Sequence, residues 1–319
     1  MKRIALFSFL LAIPALTAAQ VLPAATAPAT GTATSTANTP EGKAAELLKQ
    51  GRKLHAEGKL DEALQLYDKA LAIAPDSWDA HVAIGAALDL KGNYSEARKH
   101  LQKAIDLADE EHKPGALRSM AMSYAFEGKM AEGAKFERQA EQSQRIAKKP
   151  VDAAGTLNEL ARLLLEAGEF DKAYDAYKEG YFLAIQTVTK PEDKDLWNFR
   201  WEHAQARLAA RRGLKEEAAK HVSAAKAILD KNTNPNQAIF FPYLTGYVAY
   251  YAGDYKTARS EFQKADQKDP FILAMLAQSS EKIGDTAQAK DYWTKVIGIY
   301  SHNPTNAYAR PLAKKALGM

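Results

Sequence analysis

From about residue 42 onward the apolar and polar positions of this 319-residue chain recur at helical spacing. Ala, Leu, Lys and Glu dominate, β-branched runs are scarce, and glycine is confined to isolated positions, the punctuation of short helices. Seven of those glycines are periodic. Gly58, Gly92, Gly128, Gly168, Gly213, Gly253 and Gly284 are separated by 34, 36, 40, 45, 40 and 31 residues. Each is followed by a short polar step and then a small residue. In "AELLKQGRKLHAEGKLDEALQLYDKALAIAPD" and "WDAHVAIGAALDLKGNYSEARKHLQKAIDLAD", apolar or small residues repeat at helical spacing on both sides of the glycine. The pattern predicts two amphipathic helices per unit, joined by a tight turn. No such unit buries its apolar face alone, so the units must stack.

The first 41 residues depart from this pattern. Lys2 and Arg3 precede the apolar run Ile4–Leu16, and Thr17 and Ala19 offer a cleavage site before Gln20. This tripartite order predicts a signal peptide over residues 1–19 and an exported protein, periplasmic or secreted. A retained anchor is the alternative, but the run is short for a membrane span and Pro14 interrupts it. Residues 20–41 are almost entirely Ala, Thr, Pro and small polar residues, with little to bury, and read as a disordered linker. The helical region is then 42–319. No other stretch is apolar enough to span a bilayer, so no transmembrane segment is expected after cleavage.

Charge changes the picture little. The chain carries +4, and +2 without Lys2 and Arg3, too weak a balance to argue for nucleic acid or a membrane surface. Cysteine is absent, which removes disulfides, thiolate metal sites and a thiol nucleophile. An exported chain without disulfides must be held by its core.

The repeating unit resembles the tetratricopeptide repeat (TPR) family over roughly residues 44–303. Its signature positions hold Leu47, Gly51, Leu54, Gly58, Ala63, Tyr67, Ala70 and Pro75 in the first unit. In the second they hold Ile84, Gly85, Leu88, Gly92, Tyr94, Ala97, Leu101 and Ala104. The sixth unit matches again through Gly246, Gly253, Tyr255, Ala258, Phe262, Ala265 and Pro270. The other units keep the turn glycine and the small residue five positions on. The resemblance implies an all-α, right-handed α-solenoid of about seven helix pairs. The segment Ala307–Leu317 is expected to form a polar-faced capping helix. Small residues at Ala63, Ala97 and Ala258 would let paired helices cross closely, with Tyr67, Phe262 and Trp293 filling the space beside them. Residues 148–150, 187–197 and 232–237 are extensions that should make the stack irregular, and Pro191 should begin a helix.

Candidate chemistry is sparse. None of the seven histidines has another three or four residues away, so no helical zinc pair is present. No phosphate loop, dinucleotide fingerprint or nucleophile elbow occurs. No enzyme activity, cofactor or metal is expected. The most distinctive stretch is "FFPYLTGYVAYYAGDY", Phe240 to Tyr255, seven of whose sixteen residues are aromatic. Phe240, Tyr243, Tyr247, Tyr250 and Tyr251 form one stripe at helical spacing. By resemblance the first helix of each unit lines a concave groove, which would place this stripe there. Arg200, His203, Arg207 and Arg211 would precede it on the adjoining helix, and Arg162 on the one before. Tyr and Arg dominate binding hot spots, so the expectation is a scaffold that holds a protein or peptide partner in that groove, in envelope assembly. Three readings stand against it. The stripe could be packing between repeats, which is what apolar stripes usually are. The chain could be a small-molecule-binding protein or enzyme on a repeat scaffold. It could also be a structural, self-associating module, and a homo-oligomer remains open.

Overall fold

The computed structural model describes residues 39–319. The expected signal peptide, residues 1–19, and the expected linker up to residue 38 lie outside the described residues. The first helix begins at Pro40, two residues before the compositional boundary, with the Thr39 side chain accepting from the Gly42 N–H at its N-terminus. Among the described residues there are fifteen α-helices and no strand. None is long and apolar enough to cross a membrane.

Fourteen of the helices form seven antiparallel pairs. These are α1 (Pro40–Ala56) with α2 (Leu60–Ile73), α3 (Trp78–Lys91) with α4 (Tyr94–Leu107), and α5 (Lys113–Phe126) with α6 (Met130–Ile146). Then come α7 (Pro150–Glu166) with α8 (Phe170–Thr187) and α9 (Pro191–Arg211) with α10 (Lys215–Asp230). The last pairs are α11 (Phe241–Tyr251) with α12 (Tyr255–Phe262) and α13 (Pro270–Lys282) with α14 (Thr286–Ile297), followed by α15 (Pro304–Leu317). Successive pairs pack on one another, so the whole is the expected α-solenoid.

The local reasons are those of the repeat. All seven periodic glycines adopt φ between +74° and +90°, a left-handed turn that costs other residues strain. Ala63, Ala97 and Ala258 are fully buried at the crossings of their pairs. A Cβ on Gly85 would lie 2.6 Å from the Leu101 side chain, and one on Gly246 would lie 3.0 Å from the Phe262 ring. Gly51 faces Tyr67 in the same way. Pro191 does begin α9, and the wide spacing from Gly168 to Gly213 is taken up by long helices, α8 of 18 residues and α9 of 21. The other two extensions each contain a left-handed non-glycine, Lys148 and Asn232.

The C-terminus departs from the simple cap. Helix α15 packs on α13 and α14 of the last pair, but it also packs on α5 of the third. Its Ala307 belongs to the same buried cluster as Leu90, Ala121 and Phe126. Just before it, the His302 Nε2 lies 2.9 Å from the Asp89 Oδ2, and the Ser123 hydroxyl donates to the other Asp89 oxygen at 2.7 Å. His302 also stacks on Phe126, with ring centroids 5.2 Å apart. A His55 ring nitrogen lies 3.0 Å from the Tyr300 carbonyl oxygen, and the Tyr300 ring covers Gly58. The solenoid therefore turns far enough for its end to meet its beginning.

Candidate functional site

Helices α7, α9, α11 and α13 are the first members of successive pairs, and their inward faces converge. Their side chains meet one another there, with Tyr177 of α8 and Tyr308 of α15. Arg162 is 3% exposed, Arg207 5%, His203 7%, Tyr243 8% and Tyr247 0%. The expectation of an open groove lined by these five is corrected: they are packing between repeats. The physical reason is the residues that face them. The Arg207 guanidinium donates to the Tyr177 hydroxyl at 2.8 Å and to the Tyr243 hydroxyl at 3.3 Å. Arg162 lies over the Phe271 ring, 4.7 Å from its centroid. Tyr243 meets Phe271 and Tyr247 edge-on, and Phe271 in turn meets Tyr308.

The electrostatics follow from the burial of these groups. Burial, aided by Arg207 and Arg162, holds the His203 imidazole well below its ordinary pKa and so neutral. One His203 nitrogen bonds the Phe240 carbonyl, while Nε2 is buried without a hydrogen-bond partner. Burial opposes the charge of Arg207, but the oxygens of Tyr177, Tyr243 and Tyr247 outweigh it, and the balance is upward. Burial pushes the Tyr247 hydroxyl well up, and Glu166 adds to that. Arg211 donates to Glu166 at 3.0 Å and to the Tyr247 hydroxyl at 3.4 Å. Arg211 thus pairs with one Glu166 oxygen at the edge of this packed interior, while Glu166 Oε1 is buried without a hydrogen-bond partner.

The remaining site residues lie at the margins. Phe240 is not part of the stripe. It ends a short 3-10 turn, Pro235–Phe240, and packs with Phe199, Ala225 and Leu244 between α9, α10 and α11. Arg200 lies over Trp197, 4.9 Å from the centroid, beside a partly exposed cluster of Tyr174, Tyr181 and Trp201. Arg211, Tyr250 and Tyr251 are half-buried at the C-terminal ends of α9 and α11. There Arg211 covers the Tyr251 ring at 5.0 Å and Phe170 at 5.4 Å. Tyr250 meets Tyr255 edge-on at 5.4 Å, and the Lys282 ammonium lies 6.0 Å from the Tyr255 ring. A half-open rim of alternating rings and cations thus runs along one edge of repeats four to seven. The sequence marks Tyr255 only as a repeat-signature position, and Phe170 and Lys282 not at all. They stand at the turn edge of their repeats, away from the inward-facing positions of the first helices. Among the described residues no group of three His, Asp or Glu side chains forms a metal cluster.

Two tetratricopeptide-repeat family models match the chain, one at residues 54–120 and one at 274–303. No curated protein matches it. Solved structures share the fold at low identity. A tetratricopeptide repeat protein from Parabacteroides merdae is 12% identical with a TM-score of 0.53, over 86% of this chain and 98% of that one. TPR-like repeats of a kinesin light chain from Podosopora anserina are 18% identical with a TM-score of 0.51, over 62% and 99%. A Rap protein complexed with Competence and Sporulation Factor is 9% identical with a TM-score of 0.52, over 87% and 77%. Matching segments near both ends, seven helix pairs turned by the same left-handed glycine, and TPR neighbours of the same fold identify this chain as a tetratricopeptide-repeat protein.

Proposed function

We propose that the protein is an exported tetratricopeptide-repeat scaffold that holds a protein partner in envelope assembly, with no covalent chemistry of its own. The partner surface is the half-open rim of Phe170, Arg211, Tyr250, Tyr251, Tyr255 and Lys282. The rim is the observation that carries this reading. Large rings and fixed cations lie half-exposed on rigid helix ends, where they combine contact area with directed hydrogen bonding. The packed interior supports it indirectly, because Arg207, Tyr243 and Tyr247 are already spent on each other. Tetratricopeptide repeats commonly serve protein interaction, and a neighbour of this fold was solved in complex with a factor. The tyrosine hydroxyls and the exposed Lys282 ammonium suit a partner that presents a carboxylate beside an apolar group.

The test is capture from envelope extract, identification by mass spectrometry, and titration of the purified partner. Arg211→Ala with Tyr250→Ala should weaken that partner by about 2 kcal/mol or more if these are hot spots. Unchanged affinity in the double variant would move the binding surface off the rim. Export has its own check: N-terminal sequencing should find the mature chain beginning near Gln20, and an intact Met1 on the working protein would refute it.

A further inference from the structure

Helix α6 carries a polar row on its buried face. Gly133, Ala134, Glu137, Ala140, Glu141 and Gln144 are the residues it buries, and it packs on α5 and α7. Glu137 is in the middle of that row and 0% exposed. The backbone holds it there. One turn before it, a Cβ on Gly133 would lie 2.6 Å from the Ala121 carbonyl oxygen of α5, and Ala140, three residues after it, is fully buried. Both Glu137 carboxyl oxygens are closed to solvent and neither has a hydrogen-bond partner. The cation beside them is Arg118 of α5, whose Nε lies 3.9 Å from Oε2. That guanidinium is turned to Glu159 of α7, to which Nε donates at 3.0 Å and Nη2 at 2.5 Å. The rest of the row is paired. Glu141 receives Arg138 and Arg145 of its own helix, and both arginines also reach Glu179 of α8. Four carboxyl groups, Glu137, Glu141, Glu159 and Glu179, thus face three guanidiniums, and the hydrogen-bonded pairs leave Glu137 out. An ionised carboxylate there would be a buried charge with no hydrogen bond and only a share in a cation already engaged, which is far costlier than a neutral acid short of one hydrogen bond.

We propose that Glu137 keeps its proton in the folded chain and acts as a pH-sensitive latch between the third and fourth repeats, closed while the carboxyl is neutral and loosened when it ionises. The surroundings favour the neutral form. Burial, then the negative charge of Glu159, pushes the carboxyl well above its ordinary value of 4.5, against the pull of Arg118. Asp152 of α7 adds further negative charge near Arg118. Glu137 and Glu159 compete for one guanidinium, so the proton belongs to the pair, and the geometry seats it on the member that Arg118 does not hold. The pH dependence has a definite sign. Below pH 4.5 the carboxyl is neutral in the folded and the unfolded chain alike, and it costs the folded state nothing. Above that value the unfolded chain releases the proton while the folded chain keeps it, so folding weakens by about a factor of ten per pH unit until Glu137 itself ionises. Its charge then lies inside the contact of α6 with α7, which joins the third repeat to the fourth.

The experiment is denaturant titration of the full chain and of Glu137→Gln at a series of pH values. The ratio of the two folding constants cancels every other titrating group, His55 included. It should be constant below about pH 4 and then move in favour of Glu137→Gln by about tenfold per pH unit. Glu137→Met, apolar and of similar length, takes its place if the amide variant does not fold. Hydrogen exchange, corrected for its intrinsic dependence on pH, reads the latch itself. In the parent α6 and α7 should lose protection with rising pH ahead of α13 and α14, and the lead should vanish in the variant. The parent alone gives a further readout: with 13C-labelled glutamate, one side-chain carboxyl should keep its protonated shift after the others have titrated. A ratio that does not change with pH, exchange of α6 and α7 in step with α13 and α14 at every pH, or a parent in which every glutamate titrates in the ordinary range would each overturn the latch.

Discussion

Tyr247 and Tyr250 stand three residues apart on α11 and differ in role. Tyr247 is fully buried, its ring against Phe271 and its hydroxyl near Arg211, so Tyr247→Ala should cost roughly 3–5 kcal/mol. Tyr250 is half-exposed beside Tyr255, and Tyr250→Ala should cost less than about 1 kcal/mol. Paired denaturant titrations check this, and equal losses would refute the division. His55 supplies a pH dependence. Burial, then the neighbouring His302, lowers its pKa from 6.5 to about 4. Between those values the unfolded chain takes up a proton that the folded chain refuses, so its contribution is full above pH 6.5 and declines as the pH falls towards 4. The loss should be on the order of 2 kcal/mol after discounting for partial exposure, and His55→Gln should flatten that part of the stability–pH curve. At this scale the sequence was legible in part. The stripe Tyr243–Tyr247–Tyr250/Tyr251 and the facing arginines are on the helices and faces expected. What fills the space before them is not, because Tyr177, Phe271 and Tyr308 come from other repeats, and no periodicity within α9 or α11 reports on them.

The helix pair obeys two different constraints at its glycines, and substitutions separate them. A Cβ at Gly128 meets nothing within 4 Å, but its φ is +81°, so Gly128→Ala should cost about 1–2 kcal/mol in backbone strain alone. Gly128→Asn should cost less, since asparagine tolerates that region. Gly246 is helical, and an added methyl would press on the buried Phe262 ring, so its cost is packing and should be relieved by Phe262→Leu. At the crossings, Ala97→Leu and Ala258→Leu should each destabilise by roughly 1–3 kcal/mol, because both positions are fully buried. Thermal melts that coincide with the parent's would contradict the register. These elements were readable in advance because few residue types fit each constraint without strain: glycine foremost at the left-handed turn, a small residue at the close crossing. Even the unit around Gly213, poor in large apolar residues, keeps both and folds as α9–α10. The 3-10 turn at Pro235–Phe240 has no such marker, which is why Phe240 falls outside the stripe.

Across the whole molecule the decisive contacts join residues more than two hundred positions apart. A solenoid whose repeats touch only their neighbours can fray from either end. Here His302 and Tyr300 bind the first three repeats, and α15 packs on α5, so the two ends are coupled. The seam rests on Asp89, whose side chain is closed to solvent and divides its oxygens between His302 and Ser123. His302→Ala leaves one oxygen of that buried carboxylate without its partner and should cost roughly 2–4 kcal/mol. Asp89→Asn should cost less in the His302→Ala background than in the parent, because the pair is then already broken. Hydrogen exchange gives the global readout. In the parent, α1, α3, α5 and α15 should lose protection together; in His302→Ala, α15 should exchange ahead of the rest, and α1 should follow it more readily than α7 or α9. Exchange of α15 at the parent's rate in that variant would mean that its packing on α13 and α14 suffices, and that the seam between the ends contributes contact without cooperativity.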